Sequence, residues 1–234
     1  IRPQQRDGAC RTIGDGDVLQ AVAVQIADGD GARRGAAGEG RLGEGAQALR
    51  AASSTARVRS ASARAAAPKS SPEEAYSTAM VLADTLGLGQ GSWEVVGTDI
   101  STKVLSAAHR GLYSLERTNG IPPALLKKYC LKGIMDQQGM LLVARQLRER
   151  VQFMYCNLLQ PQRVPGLFDV IFLRNVLIYF NQQTKQKVIA NLLPYLKRDG
   201  HLIIGHSESL HGISSALVAE RPTIYRPVYR LANP

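Results

Sequence analysis

Five polar positions in this 234-residue chain have types and spacing suited to one kind of chemistry. Asp99 ends the segment WEVVGTDI, Asn157 follows VQFMYC, and Arg174-Asn175 closely follows FDVIF. Glu73 stands in the first turn of a segment that reads as a helix. A carboxylate at the end of a buried strand is placed to accept hydrogen bonds from the hydroxyls of a ribose. An Asn after the next strand offers a paired donor and acceptor to the edge of an adenine. A carboxylate in a first helical turn can meet a cofactor amine. Each group also has a purely structural use. Asp99 ahead of Ser101 suits turn chemistry, Asn157 can close a loop, and Glu73 complements the helix macrodipole. Their order on an alternating strand–helix pattern makes the binding reading the more specific one.

The surrounding elements must bring these groups to one edge. Ser71-Pro72-Glu73-Glu74 reads as a helix start, with Ser71 as N-cap, Pro72 at N1 and Glu74 completing a capping box. Tyr76, Met80, Ala83 and Leu86 follow at helical spacing, and Gly87 and Gly89 end the helix. Residues 93–100 read as a buried strand, after which Ser101 caps a helix through about Ala108. Residues 151–156 and 168–172 are the next strands. A helix over 182–197 begins at the N-cap Asn181 and carries an apolar stripe at Val188, Ile189, Leu192, Leu193 and Leu196. Pro194 kinks or removes its last turn. Arg198-Asp199-Gly200 then turns the chain into a strand over 202–204, and 223–229 is the last strand. This alternation predicts an α/β fold with a mostly parallel sheet covered on both faces, whose ligands bind outside the carboxyl ends of the strands. Residues 112–150 break the rhythm. A short helix over 122–130 and a strand or strand pair over 139–147 predict a small inserted subdomain.

Composition divides the chain. All 13 aromatic residues lie at or after Tyr76, and 37 of the first 70 residues are Ala, Gly or Arg. Such a segment buries little apolar area, at ~25 cal/mol per Å², against an ordering cost of ~1–2 kcal/mol per residue. Residues 1–69 are therefore expected to form no folded domain, and 70–234 to form one. The bias of that segment is also what an out-of-frame reading of GC-rich coding sequence gives. Translation of the upstream nucleotides in the other two frames tests this. No apolar run reaches the ~20 residues of a membrane span, and no secretory signal is visible. Cys10, Cys130 and Cys156 are widely spaced and no metal-ligand cluster stands out, so reduced thiols in a cytoplasmic protein without a metal are expected. The net charge of +10 is spread without a run of five basic residues, which reads as solvated surface or as complementarity to an acidic partner.

The segments GTDISTKVLSAAHRGLYS, NLL, FDVIFLRNVLIYF, LLPYLKRDGHLIIGHSESL and TIYRPV resemble the chemotaxis-receptor glutamate methyltransferases, the CheR family. The resemblance covers roughly residues 70–228, and RNVLIYF and GHSESL are its most specific parts. It implies a class I, Rossmann-like methyltransferase fold that binds S-adenosylmethionine and releases S-adenosylhomocysteine. By the same resemblance Glu73, Asp99, Asn157, Leu158, Arg174 and Asn175 are cofactor-binding, and the 112–150 insertion is the family's β-subdomain. The cytoplasmic domain of chemotaxis receptors is the implied partner, with no nucleic acid and no membrane insertion. Three features depart from the family. Pro72 replaces a Gly, the usual first strand is represented only by a weak likeness over 57–62, and the N-terminal helical domain is not recognisable in 1–69.

The implied nucleophile is a glutamate carboxylate, with reference pKa ~4.3 and already ionised at neutral pH. No general base is required, so the lack of a Ser-His-Asp, Cys-His or metal constellation is compatible with an enzyme, and no catalytic residue is assigned. Tyr179 either lines the transfer channel or packs at a helix start, and His206, Ser207 and Glu208 read as a structural loop beside the site. Two other functions stay open. One is a degraded, non-catalytic module that binds receptor or cofactor. The other is a nucleic-acid methyltransferase, which the basic charge favours. The sequence Leu173-Arg174-Asn175-Val176 disfavours it, standing where such enzymes carry a Pro-Pro-aromatic motif. A nicotinamide dehydrogenase lacks its glycine fingerprint here.

Overall fold

A computed structural model of the chain describes residues 21–25, 73–89, 93–118, 120–160, 164 and 166–228. Helix α1 (Glu73–Leu86) buries Ala75, Tyr76, Ala79, Met80, Leu82 and Ala83. It stops at Gly87, whose φ of +82° and N–H bond to the Ala83 carbonyl (3.1 Å) suit glycine alone among common residues. Trp93 follows, buried, and its indole Nε1 donates to the Gly87 carbonyl at 2.9 Å. Strand β2 (Glu94–Asp99) leads to α2 (Thr102–Arg110), capped as expected by Ser101, whose hydroxyl accepts from the Val104 amide. The proposed N-cap Ser71, Pro72, Cys10 and the weak first-strand likeness over 57–62 lie outside the described residues.

The insertion contains β3 (Leu112–Ser114), α3 (Pro123–Tyr129), β4 (Cys130–Lys132), β5 (Met140–Val143) and the single turn α4 (Arg145–Arg148). Its strands form a separate three-stranded antiparallel sheet in the order β3-β5-β4. The expected strand over 139–147 is therefore one strand and a helical turn. The main domain resumes with β6 (Val151–Tyr155), β7 (Phe168–Leu173), α5 (Gln182–Leu192), β8 (Leu196–Ile204), β9 (Leu217–Arg221) and β10 (Ile224–Pro227). Helix α5 is capped by Asn181 as expected but ends at Leu192, five residues short of the predicted 197. Leu193–Tyr195 tightens into a 3₁₀ turn around Pro194, which cannot donate to the helical ladder. Leu196 already pairs with Phe168 of β7, and the register shifts before pairing resumes at His201 opposite Val170. Strand β8 therefore starts six residues before the expected 202, with the Arg198-Asp199-Gly200 turn absorbed as an irregularity within it. Strand β9 was not foreseen. Its apolar run is only Leu217-Val218-Ala219, of which Leu217 alone is buried, too short to signal a strand.

The seven-stranded sheet runs β6-β2-β1-β7-β8-β10-β9, where β1 is Ala21–Gln25. The α/β class holds, with parallel pairs β2/β6 and β7/β8. Strand β10 is antiparallel to β8 and β9, and β1 is antiparallel to both β2 and β7. The first-strand place at the centre of the sheet is thus taken by AVAVQ, from the segment expected to form no folded domain of its own. Two ladders of buried backbone groups face that place and must be paired. A short β-branched stretch without special side chains suffices, and Ala23 is buried within it.

Apolar side chains alternate across the sheet into two cores. Val95 and Val170 join α1, α2 and the insertion on one face. Val96 and Ile171 join Ala23, α5 and β8 on the other.

Candidate functional site

Because β1 is antiparallel to both neighbours, β2, β6, β7 and β8 all end at the same edge of the sheet. Asp99, Asn157, Arg174 and the Gly205 turn are therefore brought to one rim, as the sequence pattern predicts. Asp99 is the last residue of β2 and only 1% exposed. Its Oδ1 accepts the Ser101 amide at 2.7 Å. Its Oδ2 is buried and has no hydrogen-bond partner among the described residues. Burial pushes the carboxyl up from its ordinary value, against the opposing pull of the Ser101 and Ile100 amides.

Arg174 follows β7 directly and reaches across to the first turn of α1. Its Nη1 lies 2.6 Å from Glu74 Oε1, joining residues 100 apart in sequence, with about a quarter of each side chain exposed. Glu73 is the first residue of α1, and its side chain lies outside the described residues. The carboxylate brought to the rim is thus that of Glu74, assigned from the sequence only to a helix cap. The signal for it was present: the two acids are adjacent, and a helix turns about 100° between neighbours.

Asn157 and Leu158 sit in a turn after β6. Asn157 Oδ1 accepts the Leu159 amide at 3.0 Å, closing an Asx turn. Leu158 points into the core at 1% exposure, while its carbonyl accepts from Asn191 Nδ2 at 2.9 Å. Asn175 adopts φ of +56°, a left-handed conformation that Asn tolerates better than most residues. Its amide donates to Glu208 Oε2 at 3.1 Å. Its Oδ1 packs so closely on Gly205 that a Cβ there would come within 2.8 Å. Glu208, read from sequence as part of a structural loop, turns out to organise this rim. Tyr179 and Ile178, each about half exposed, extend the rim beyond Arg174.

A family model described as the CheR methyltransferase SAM-binding domain matches residues 46–224. The chain belongs to the CheR family. This family match begins upstream of residue 70. Over 160 residues the chain is 42% identical to the chemotaxis protein methyltransferase of Escherichia coli (strain K12), covering 68% of this chain and 56% of that protein. It is 39% identical over 160 residues to the chemotaxis protein methyltransferase of Salmonella typhimurium, with the same coverages. It is 35% identical over 162 residues to chemotaxis protein methyltransferase 2 of Pseudomonas aeruginosa, covering 69% and 58%. The chain thus spans little more than half the length of these curated CheR relatives. In this CheR chain RNVLIYF forms the turn after β7, and GHSESL forms the turn after β8. No helix among the described residues is long and apolar enough to cross a membrane.

Proposed function

We propose that this chain acts on glutamate side-chain carboxylates of chemotaxis receptors, in the cytoplasm, with S-adenosylmethionine as methyl donor and S-adenosylhomocysteine as product. The observation that carries the reading is Asp99: a buried carboxylate oxygen without a partner, at the carboxyl end of a sheet strand, needs hydroxyl donors. The hydroxyls of an adenosine ribose fit that need. The bound cofactor supplies a methyl group on a sulfonium centre, an electrophile ready for in-line displacement.

The chain's own groups bind and orient. With the cofactor bound, Asp99 Oδ2 would accept from the ribose hydroxyls, the Asn157–Leu158 turn would hold the adenine side, and Glu74 would meet the amino-acid end. Arg174 neutralises Glu74 and fixes its direction. Ile178 and Tyr179 present apolar surface that keeps water from the substrate carboxylate, which arrives ionised and transfers no proton to the enzyme.

Titration calorimetry of the chain with S-adenosylhomocysteine, followed by transfer of labelled methyl groups to receptor-containing membranes, tests this. Saturable binding and label that base releases as methanol are expected. Binding without any label in receptor refutes the enzymatic reading.

Two observations favour a second reading, a module that binds receptor or cofactor weakly without turnover. Asp99 is 1% exposed, so ribose hydroxyls reach it only after the cover over the strand end moves. Strand β1 runs antiparallel, so its carboxyl end, Gln25, lies opposite Glu94 at the far edge and offers the cofactor no backbone.

A further inference from the structure

The geometry points to Glu208 as the positioning residue of the cofactor rim, a carboxylate that locks the turn after β7 to the turn after β8. The role rests on the cofactor reading above. One side chain receives four backbone amides from two separate segments. Oε1 accepts from Leu177 at 2.7 Å and Ile178 at 3.3 Å. Oε2 accepts from Asn175 at 3.1 Å and Gly205 at 2.6 Å. Leu177 opens the 3₁₀ turn Leu177–Tyr179, and the first amides of such a turn have no partner within it. Glu208 supplies that partner from 30 residues further along the chain.

The clamp is built tightly on its other side. The Glu208 amide donates to the Gly205 carbonyl at 3.1 Å, so the turn that carries the carboxylate closes on itself. A Cβ on Gly205 would stand 2.7 Å from Glu208 Oε2 and 2.8 Å from Asn175 Oδ1. The clamp therefore needs glycine there. Within the turn after β7, Val176 and Leu177 are buried at 0% and 1% exposure and anchor the segment in the core. Core anchoring sets the depth of the segment. The Glu208 bonds set its rotation, including the left-handed backbone of Asn175, and so the direction in which the preceding Arg174 leaves β7 towards Glu74.

Both carboxylate oxygens are needed. A glutamine has one acceptor oxygen, and its NH₂ group would face the two amides at the other position, donor against donor. Glu208→Gln keeps size and shape, so it reports on the clamp and not on packing. The expected result is a loss of at least tenfold in S-adenosylhomocysteine affinity by calorimetry. Faster hydrogen exchange should accompany it, confined to the amides of 175, 177, 178 and 205, with the helix α1 amides unchanged. Unchanged affinity together with unchanged exchange at those four amides overturns the proposal. If Glu208→Gln does not fold, exchange on the unaltered chain decides: protection of Leu177 and Ile178 at least equal to that of Tyr179, whose amide donates to the Val176 carbonyl at 3.3 Å, supports the clamp, and exchange of both as fast as in an unstructured peptide overturns it. Absence of binding by the unaltered chain removes the cofactor reading. The exchange measurement then still tests the clamp.

Discussion

Asp99 holds a charge where burial opposes it, and the cost can be followed with pH. A carboxyl whose pKa is raised in the folded chain binds its proton more tightly there than in the unfolded chain. Stability then falls as pH climbs from the reference value of 3.8 through the raised one, and the whole penalty persists at neutral pH. Asp99→Asn removes the penalty. Its melting temperature should exceed that of the unaltered chain at pH 7, and the gain should vanish as pH falls below the unfolded value. The same change should weaken S-adenosylhomocysteine binding roughly 10- to 100-fold, through loss of charge-assisted bonds of about 1.5–3 kcal/mol. Melting curves across pH and titration calorimetry read the two effects. A variant less stable at pH 7 contradicts the account. The Arg174–Glu74 pair works differently, because each partner satisfies the other in a half-buried place. A double-mutant cycle with Glu74→Gln and Arg174→Gln should give a coupling of roughly 1–2 kcal/mol, between the values for exposed and buried charged pairs. Additive effects on denaturant stability would mean that the pair contributes nothing.

The elements that were legible in the sequence are those whose signals are local. Ser101 and Asn181 announce α2 and α5 because each cap bonds an amide three residues away. The 93–100 and 168–172 runs announce β2 and β7 because strands covered on both faces are largely apolar, and 151–156 announces the edge strand β6, in which Gln152 is exposed between buried Val151 and Phe153. That regularity also placed Asp99, Asn157 and Arg174 on one edge. Strand β9 was not legible, since Leu217-Val218-Ala219 is only a three-residue apolar run before Glu220-Arg221, and β8 was shortened because Asp199-Gly200 reads as a turn. Glu208 and Glu74 escaped because their partners are 30 and 100 residues distant. Strand β1 is the sharpest case: residues 21–26 carry weak apolar patterning, but only the place that AVAVQ fills between β2 and β7 makes it a central strand. Each of its five residues faces one in β2, and Val22, Ala23 and Val24 also face β7. Ala23→Pro removes an amide from the middle of the sheet and should cost about 3 kcal/mol or more in a denaturant titration. Deletion of residues 1–30 should leave β2 and β7 with bare inner edges and give a poorly soluble chain. A deletion variant with the original melting temperature would show that the sheet does not need β1.

At the scale of the molecule, the question is whether the insertion is an appendage or part of one cooperative body. Its three-stranded sheet is separate from the seven-stranded one and shares no ladder with it. By hydrogen bonding alone it resembles a detachable module. The apolar packing argues the reverse. Tyr113, Tyr129, Val143 and Leu147 from the insertion share a single buried cluster with Tyr76, Met80, Trp93 and Phe153 from the main domain. The Tyr76 ring meets those of Tyr113 and Phe153 edge-on at 6.0 and 5.4 Å, and its hydroxyl donates to the Ala108 carbonyl at 3.0 Å. Burial lifts that phenol to a pKa of about 12, so it remains a donor throughout the physiological range. A cluster of this kind cannot lose one side without exposing the other, and dispersion and area terms then tie the two parts into one transition. Tyr129→Ala, at 4% exposure, should therefore cost about 3–5 kcal/mol for the whole domain. Far-ultraviolet circular dichroism and Trp93 fluorescence should shift together to the same lower midpoint. Trp93 stands ahead of β2, outside the insertion, and so reports on the main domain. A variant in which the 112–150 region becomes sensitive to trypsin while the Trp93 transition stays in place would show instead that the insertion unfolds on its own.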